Sequence, residues 1–225
     1  MTSVTLNDDH HGVGPPTSLA ALAYEQLKDK LIMLDIRPGE PINDDALARE
    51  LGTGRPPVRE ALKQLENDRL VVAFPRRGTF ATTVDITDLA HITEIRAVLE
   101  PLAAARAARV ADVATRRHLA ALADEVGRLD VSSAERRALI QRDVALHHAV
   151  YRACGNPHLR DILVREDNLA TRIWCLFLDR LPDLAGHVGE HAALLRAVAD
   201  GDGDGASRLA LEHVTHFDAA IRSVV

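Results

Sequence analysis

Four residues in the C-terminal part of the chain are of types that bind metal ions. Asp143 and His147 are four positions apart on the apolar stripe of one predicted helix, so their side chains reach the same point. His191 and His213 each lie in the apolar stripe of a later helix. One carboxylate and three imidazoles suit a divalent transition ion such as Zn, Ni or Mn. The pattern predicts a metal site to which three helices contribute.

Each of these histidines has a simpler interpretation when it is taken alone. A single histidine on an apolar helical face is more often a hydrogen-bonded core residue than a ligand. Asp143 is harder to explain in that way, because an ionised carboxylate without a partner is costly to bury. The combination therefore favours a shared ion.

The elements that must position these residues are predicted to be helices, because the apolar residues after residue 84 recur with a helical period. Gly155, Asn156 and Pro157 end one helix and begin the next. We predict a helical, metal-binding bundle at residues 85–225. Its predicted helices are Ile86 to Val110, Asp112 to Leu129, Ala134 to Cys154, His158 to Leu181 with a possible break, Leu184 to Asp200 and Asp204 to Val224.

The N-terminal part carries a second set of chemically useful residues, which are arginines. After a first helix from Ser18 to Leu34, residues 44–83 read as helix, glycine turn, helix and hairpin. Arg55 and Arg59 share one face of the second of these two helices, the position from which such a helix reads base edges. Arg76, Arg77 and Gly78 form the tip of the hairpin. This order predicts a winged helix-turn-helix at residues 18–84, although any one arginine could simply be solvated surface.

The string PPVREALKQLENDRLVVAFPRRGTF, from Pro56 to Phe80, resembles the signature of the GntR family of bacterial transcription regulators. The resemblance implies DNA contacts at Arg55, Arg59 and the wing around Gly78, with Arg49 as a further candidate. The chain departs from the family in two places. Gly54 replaces the usual serine N-cap, which is a weaker cap, and Asp45 replaces a residue that is often basic.

The segments DVALHHAVYRACGNP and EHAALLRAVAD resemble the effector domain of the FadR subfamily, the FCD type. The resemblance implies that Asp143, His147, His191 and His213 are the metal ligands and that His148 faces outward or sideways. It also places Arg96 near a pocket for a small carboxylate effector. Arg96 could instead form a structural salt bridge with Glu94 or Glu100.

Composition limits the remaining possibilities. The net charge is −6, yet residues 49–80 carry seven Lys or Arg against four Asp or Glu. Aromatic residues make up 3% of the chain, which argues against a protein that stacks single-stranded bases. The two cysteines, Cys154 and Cys175, are far apart, and no signal-like or membrane-spanning run is present, so we expect a cytoplasmic protein without a membrane partner. Residues 1–17 are predicted to be a flexible tail.

Together these observations predict a mainly α protein, with an N-terminal winged helix-turn-helix and a C-terminal all-helical bundle. We expect a homodimeric DNA-binding regulator, a repressor, that binds a palindromic operator in double-stranded DNA and responds to an organic acid at the metal. One alternative is a regulator whose metal is purely structural. Another is a metalloenzyme, for which Glu100 and Arg96 are the only candidates as general acid or base. The intact DNA-binding half argues against catalysis, and we predict no enzymatic activity.

Overall fold

The computed structural model describes residues 18–128, 135–181 and 183–225, and the predicted tail at residues 1–17 lies outside them. The described chain is mainly helical, with a small sheet near its N-terminus, as predicted. We call residues 18–84 the head and residues 85–225 the helical domain. The elements of the head are α1 (Leu19–Ile32), β1 (Pro41–Ile42), α2 (Asp44–Glu50), α3 (Arg55–Asn67), β2 (Val71–Phe74) and β3 (Gly78–Ala81).

The helix-turn-helix consists of α2 and α3. The side chain of Asn43 accepts hydrogen bonds from the backbone N–H groups of Asp45 and Ala46, each at 3.0 Å, and so begins α2. Gly52 makes the turn after α2 with a φ of +62°. α3 begins at Gly54 without a side-chain cap. The buried side of α3 consists of Val58, Ala61, Leu62 and Leu65.

The wing is an antiparallel hairpin of β2 and β3, in which Val71 pairs with Ala81 and Phe74 pairs with Gly78. The other edge of β3 pairs with β1, a two-residue strand that the sequence analysis did not predict. Its residues Pro41 and Ile42 lie opposite Phe80 and Thr79. The wing is therefore attached to the segment that leads into α2.

The helical domain agrees with the predicted helices to within a few residues at the ends that the structure describes. The predicted ends at Leu129 and Ala134 lie outside the described residues. Its helices are α4 (Asp88–Val110), α5 (Val113–Gly127), α6 (Arg136–Ala153), α7 (Pro157–Leu176), α8 (Leu184–Asp200) and α9 (Gly203–Arg222). The segment predicted as one helix up to Leu181 is divided, because α7 ends at Leu176 and a 3-10 turn follows at Leu178–Arg180. None of the described helices is both long and apolar enough to cross a membrane.

Packing brings the ligand-bearing helices together. α8 packs on α9 and α6, while α4 packs on α9, α7 and α6. The head rests on this bundle through α1, which contacts α7, and through Arg137, which pairs with Asp35 at 2.6 and 2.9 Å. The segment 82–87, which includes the predicted boundary at Val84, connects β3 to α4.

Candidate metal centre

Three helices of the bundle bring Asp143, His147, His191 and His213 to one point in the interior. Asp143 and His147 lie on α6, His191 on α8 and His213 on α9. All four residues are buried, and each offers a donor atom that lies within 4.8 Å of the other three. We call this group the inner site.

The distances within the inner site are those expected around a small ion. Nε2 of His147 lies 3.1 Å from Nε2 of His213. Oδ2 of Asp143 is 3.7 Å from Nε2 of His147, and its Oδ1 is 3.6 Å from Nδ1 of His191. Two nitrogens that each bind an ion at about 2.1 Å are roughly 3.0–3.4 Å apart. The observed arrangement needs little adjustment to accept one.

Several donor atoms of the inner site have no hydrogen-bond partner among the described residues. They are Oδ1 of Asp143 and both ring nitrogens of His191, and all three are buried. Buried polar atoms normally have a partner, since leaving one unpaired costs about 1–3 kcal/mol. The unpaired atoms point to a ligand that the polypeptide itself does not provide.

Burial also sets the protonation states of these groups. Desolvation is the main cause that lowers the pKa of His147 and His213, and it lowers the pKa of His191 to about 4. The imidazoles are therefore neutral at pH 7, which is the form that binds metal ions. Burial, reinforced by Asp167, raises the pKa of Asp143. The ion would have to displace a proton from this carboxyl.

Neighbouring groups orient two of the three imidazoles. Nδ1 of His147 lies 3.2 Å from the hydroxyl of Tyr151 and 3.3 Å from Oε2 of Glu100. Nδ1 of His213 lies 2.8 Å from Oε2 of Glu190. Carboxylates on Nδ1 favour the proton there and leave the Nε2 lone pair free for the interior.

Arg96 lies directly beside the inner site, with Nη2 3.4 Å from Nε2 of His147. Its Nε donates to Glu100 at 2.5 Å, and its Nη2 pairs with Asp167 at 3.1 Å. Of the two predicted salt-bridge partners, the structure has Glu100 and not Glu94. Asp167, which sequence reasoning missed, comes from α7, and burial raises its pKa to about 7.

His187 was also missed, although its spacing of four from His191 on α8 was a usable signal. Its ring stacks on that of His213 with centroids 4.0 Å apart. Trp174 packs edge-on against His187 at 4.7 Å and against Phe217 at 4.9 Å. These aromatic groups lie along one side of the inner site.

His148 faces sideways, as predicted, and takes no part in the inner site. Its Nε2 lies 3.6 Å from Oδ2 of Asp167, and the residue lines a cavity between α1 and α6. Burial lowers its pKa to about 3.

The arginines predicted to contact DNA lie on the exposed surface of the head. Arg55 pairs with Asp45, and Nε of Arg59 donates to Oδ2 of Asp44 at 2.9 Å. Arg49, in the last turn of α2, is exposed as well. Two acidic residues of α2 thus pair with the two arginines of α3.

The tip of the wing projects three exposed residues, Arg76, Arg77 and Gly78. Arg76 and Gly78 both have a positive φ, of 62° and 95°, which makes the turn tight. The guanidinium of Arg77 lies 5.7 Å from the centre of the Phe74 ring. A basic tip of this shape can reach a phosphate backbone or a minor groove.

Two family models match the chain. The model of the FCD domain matches residues 91–216. The model described as bacterial regulatory proteins, gntR family, matches residues 19–81. The first match contains the inner site, and the second contains α3 and the wing.

Individual proteins are similar to the chain over nearly its whole length. The HTH-type transcriptional regulator YdhC of Bacillus subtilis (strain 168) is 28% identical over 210 residues, 92% of this chain and 93% of that protein. The HTH-type transcriptional repressor GlaR of Escherichia coli (strain K12) is 29% identical over 204 residues, 85% and 90% of the two chains. The solved structure of E. coli McbR/YncC has a TM-score of 0.79 at 21% identity and covers 92% of this chain and 99% of that chain. That last likeness bears on the fold alone.

Proposed function

The chain belongs to the GntR family of bacterial regulatory proteins and carries an FCD domain, and on that premise we propose that a small organic acid controls its operator affinity by binding at a metal ion in the helical domain. The family makes the chain a DNA-binding transcriptional regulator and not an enzyme. To this family assignment we add a metal ion, an effector that binds at the ion, and a coupling between effector binding and DNA binding.

The proposal depends above all on the unpartnered donor atoms of Asp143 and His191 in a buried site. Asp143, His147, His191 and His213 would hold the ion, and this donor set suits Zn, Ni or Mn. Such an ion would supply one or two open coordination positions that accept a carboxylate oxygen. The neutral imidazoles and the orienting contacts of Glu100 and Glu190 support this role.

Arg96 provides the positive group that would bind the same acid. Its guanidinium is adjacent to His147 and already bonds two carboxylates, Glu100 and Asp167. An effector carboxylate would exchange for one of these partners, because paired N–H donors suit any carboxylate. Burial raises the pKa of Asp167 to about 7 even though Arg96 lowers it. Loss of Arg96 would therefore raise this pKa further, and the carboxyl could take up a proton at neutral pH.

On the DNA side, we assign base contacts in the major groove to Arg55 and Arg59. A guanidinium can bond guanine through two hydrogen bonds, worth about 1–3 kcal/mol of discrimination. We assign backbone or minor-groove contacts to Arg49, Arg76, Arg77 and Gly78. These contacts to phosphate would supply the salt-dependent part of the affinity for DNA.

We place two copies of the chain on a palindromic operator, with α4 in the dimer interface. The apolar side chains of Ile95, Val98 and Leu102 lie on one side of α4 and are 39%, 66% and 51% exposed. A stripe of this kind on a soluble helix is suited to burial against a second copy. A homodimer would present two heads to two half-sites.

By analogy with GlaR, whose name describes a repressor, we propose that the protein represses transcription in the cytoplasm. An effector shifts the conformational equilibrium towards whichever state it binds more tightly. Binding at the inner site would therefore change operator affinity only if the position of the heads differs between the two states.

The test is a titration of zinc-loaded protein with a panel of small carboxylates. One acid should raise the melting temperature and change the operator Kd, and Arg96→Gln should lose both effects while it retains zinc. If a carboxylate stabilises the protein but leaves operator affinity unchanged, the regulatory half of the proposal is wrong. If no acid in the panel stabilises it, a purely structural ion, the alternative interpretation, is favoured.

A further inference from the structure

Glu190 connects the buried histidines to the surface of the helical domain. Its Oε2 lies 2.8 Å from Nδ1 of His213, and its Oε1 lies 2.7 Å from Nδ1 of His216. The side chain of His216 is 61% exposed, that of Glu190 is 33% exposed and that of His213 is 2% exposed. A line of polar groups therefore leads from solvent to the inner site.

His187 makes a second link along the same route. Its Nδ1 lies 3.7 Å from Oε2 of Glu190, and its Nε2 lies 3.9 Å from Oδ1 of Asp143. One nitrogen of this ring thus faces the surface group, while the other faces the interior. Donor atoms of His187, Glu190 and His213 all lie within 4.8 Å of one another, close enough to share one ion.

Away from this route, three charged side chains beside the inner site offer no exposed polar group. Arg96, Glu100 and Asp167 cover the inner site from α4 and α7, and all three are buried. A hydrated divalent ion would have to give up its water before it reached Asp143, at a high cost in free energy unless protein donors replace the water step by step. Glu190, His187 and His216 are placed to do so.

We propose that Glu190, with His216 at its solvent side and His187 at its inner side, forms an outer site at which a divalent metal ion passes from His216 to His187, and through which the inner site is loaded and unloaded. Two imidazoles and a carboxylate are ligands for Zn²⁺ and related ions. The inference rests on the proposed metal site at Asp143, His147, His191 and His213. It adds a second position for the ion and a route between the two.

The two oxygens of Glu190 serve the two sites separately. Glu190 holds Nδ1 of His213 with one oxygen, so Nε2 of that ring stays directed at the inner site. The other oxygen of Glu190 faces His216, which the inner site does not use. His216 can therefore be removed without the loss of an inner ligand.

The experiment measures how fast full-length protein, stripped with a chelator, takes up Zn²⁺, with free zinc followed by a chromogenic indicator. His216→Ala should slow loading severalfold, because it removes the exposed imidazole that first replaces the water of the ion. Its final zinc content and its zinc Kd should both equal those of the wild type, because His216 is not an inner ligand. With the Kd unchanged, removal of zinc by EDTA should slow by the same factor as loading.

Two further variants make the result specific. His158→Ala removes another exposed histidine and should load at the wild-type rate. Glu190→Gln should slow loading and also weaken zinc binding at equilibrium, since it disturbs the orientation of His213.

Loading of His216→Ala at the wild-type rate would overturn the outer site and leave the inner one standing. A lower final zinc content in His216→Ala would overturn it too, by giving His216 a structural role. If the wild type took up no zinc, both the proposed inner site and the outer site would be wrong.

Discussion

Arg172 of α7 donates two hydrogen bonds to Thr82 of the head, from Nη1 to the hydroxyl oxygen at 2.5 Å and from Nη2 to the carbonyl oxygen at 2.8 Å. The hydroxyl of Thr82 in turn donates to the carbonyl of Arg69 at 2.9 Å. The same helix carries Asp167, the partner of Arg96 beside the inner site. The helix α7 thus contacts Arg96 beside the inner site and Thr82 directly after the last strand of the wing.

Arg172→Met should loosen the head without a large loss of overall stability. Burial lowers the pKa of Arg172 to about 10, so the fold disfavours its charge, and removal of that charge offsets the lost bonds. We expect the free energy of unfolding to change by about 1 kcal/mol or less, whereas limited proteolysis within residues 82–87 should become faster. Urea denaturation and timed digestion measure the two effects. Arg208→Met, on the exposed face of α9, is the control, and equal digestion rates in all three proteins would contradict the prediction.

Removal of the metal should lower the melting temperature. An ion present at a hundred times its Kd stabilises the folded state by about 2.7 kcal/mol, which is roughly 5–10 °C for a chain of this size. His191→Ala should abolish the difference between EDTA-treated and zinc-loaded samples and should reduce bound zinc in elemental analysis. His158→Ala should behave as the wild type. Full zinc occupancy in His191→Ala would remove His191 from the ligand set.

Asp45→Asn should strengthen operator binding, because Arg55 must leave its pair with Asp45 to reach a base. An exposed ion pair is worth up to about 1 kcal/mol, so the operator Kd should fall by up to about fivefold. The effect should shrink at high salt, which screens the pair. Fluorescence anisotropy of labelled operator DNA gives the Kd, with Asp204→Asn as a distant acidic control. An unchanged Kd at low salt would show that Asp45 does not compete with DNA.

The metal-free protein should lose stability as the pH falls from about 6.5 to about 4. In this range the unfolded chain takes up protons on its histidines, while burial keeps His191 neutral down to a pKa of about 4. The pKa values of His147, His187 and His213 are lowered in the same direction. Burial lowers the pKa of His148 as well, to about 3. The raised pKa values of Asp29, Asp143 and Asp167 oppose the trend, but three carboxyls oppose five imidazoles. Urea midpoints at several pH values measure the change, and a midpoint that is constant or rises on acidification would refute it.

Val98→Asp should convert the proposed homodimer to a monomer. The side chain is 66% exposed in the single chain, so the change should not disturb the fold, but it would bury a charge in the proposed interface. Analytical ultracentrifugation gives the mass. Val113→Asp, also exposed, should remain dimeric. A dimeric Val98→Asp protein would place the interface elsewhere.

The features that depend on spacing along one segment could be predicted from the sequence. The apolar stripes gave the helices, and the interval from Asp143 to His147 placed both side chains on the buried face of α6. The same rule could have chosen Glu100 over Glu94 as the partner of Arg96, since residues four apart face each other on a helix, but the sequence analysis left both open. The convergence of the four inner-site residues agrees with the sequence analysis, and their role as ligands stays a prediction.

Features created by contact between distant segments could not be predicted in this way. β1 has two residues, one of them proline, and is a strand only because β3 pairs with it. Asp167 reaches Arg96 from another helix, so no interval along the chain relates the two. The pairing of Arg55 with Asp45 similarly depends on how α2 crosses α3. His187 is different, because its interval from His191 was visible.

Trp174 is the single tryptophan of the chain, and it lies against His187 within the wall of the inner site. Its indole emission therefore comes from one known place. Ni²⁺ and Mn²⁺, two of the candidate ions, have unfilled d shells and quench such emission, whereas Zn²⁺ has a filled shell and does not. The unmodified protein therefore carries its own optical probe for either of those two ions in its interior.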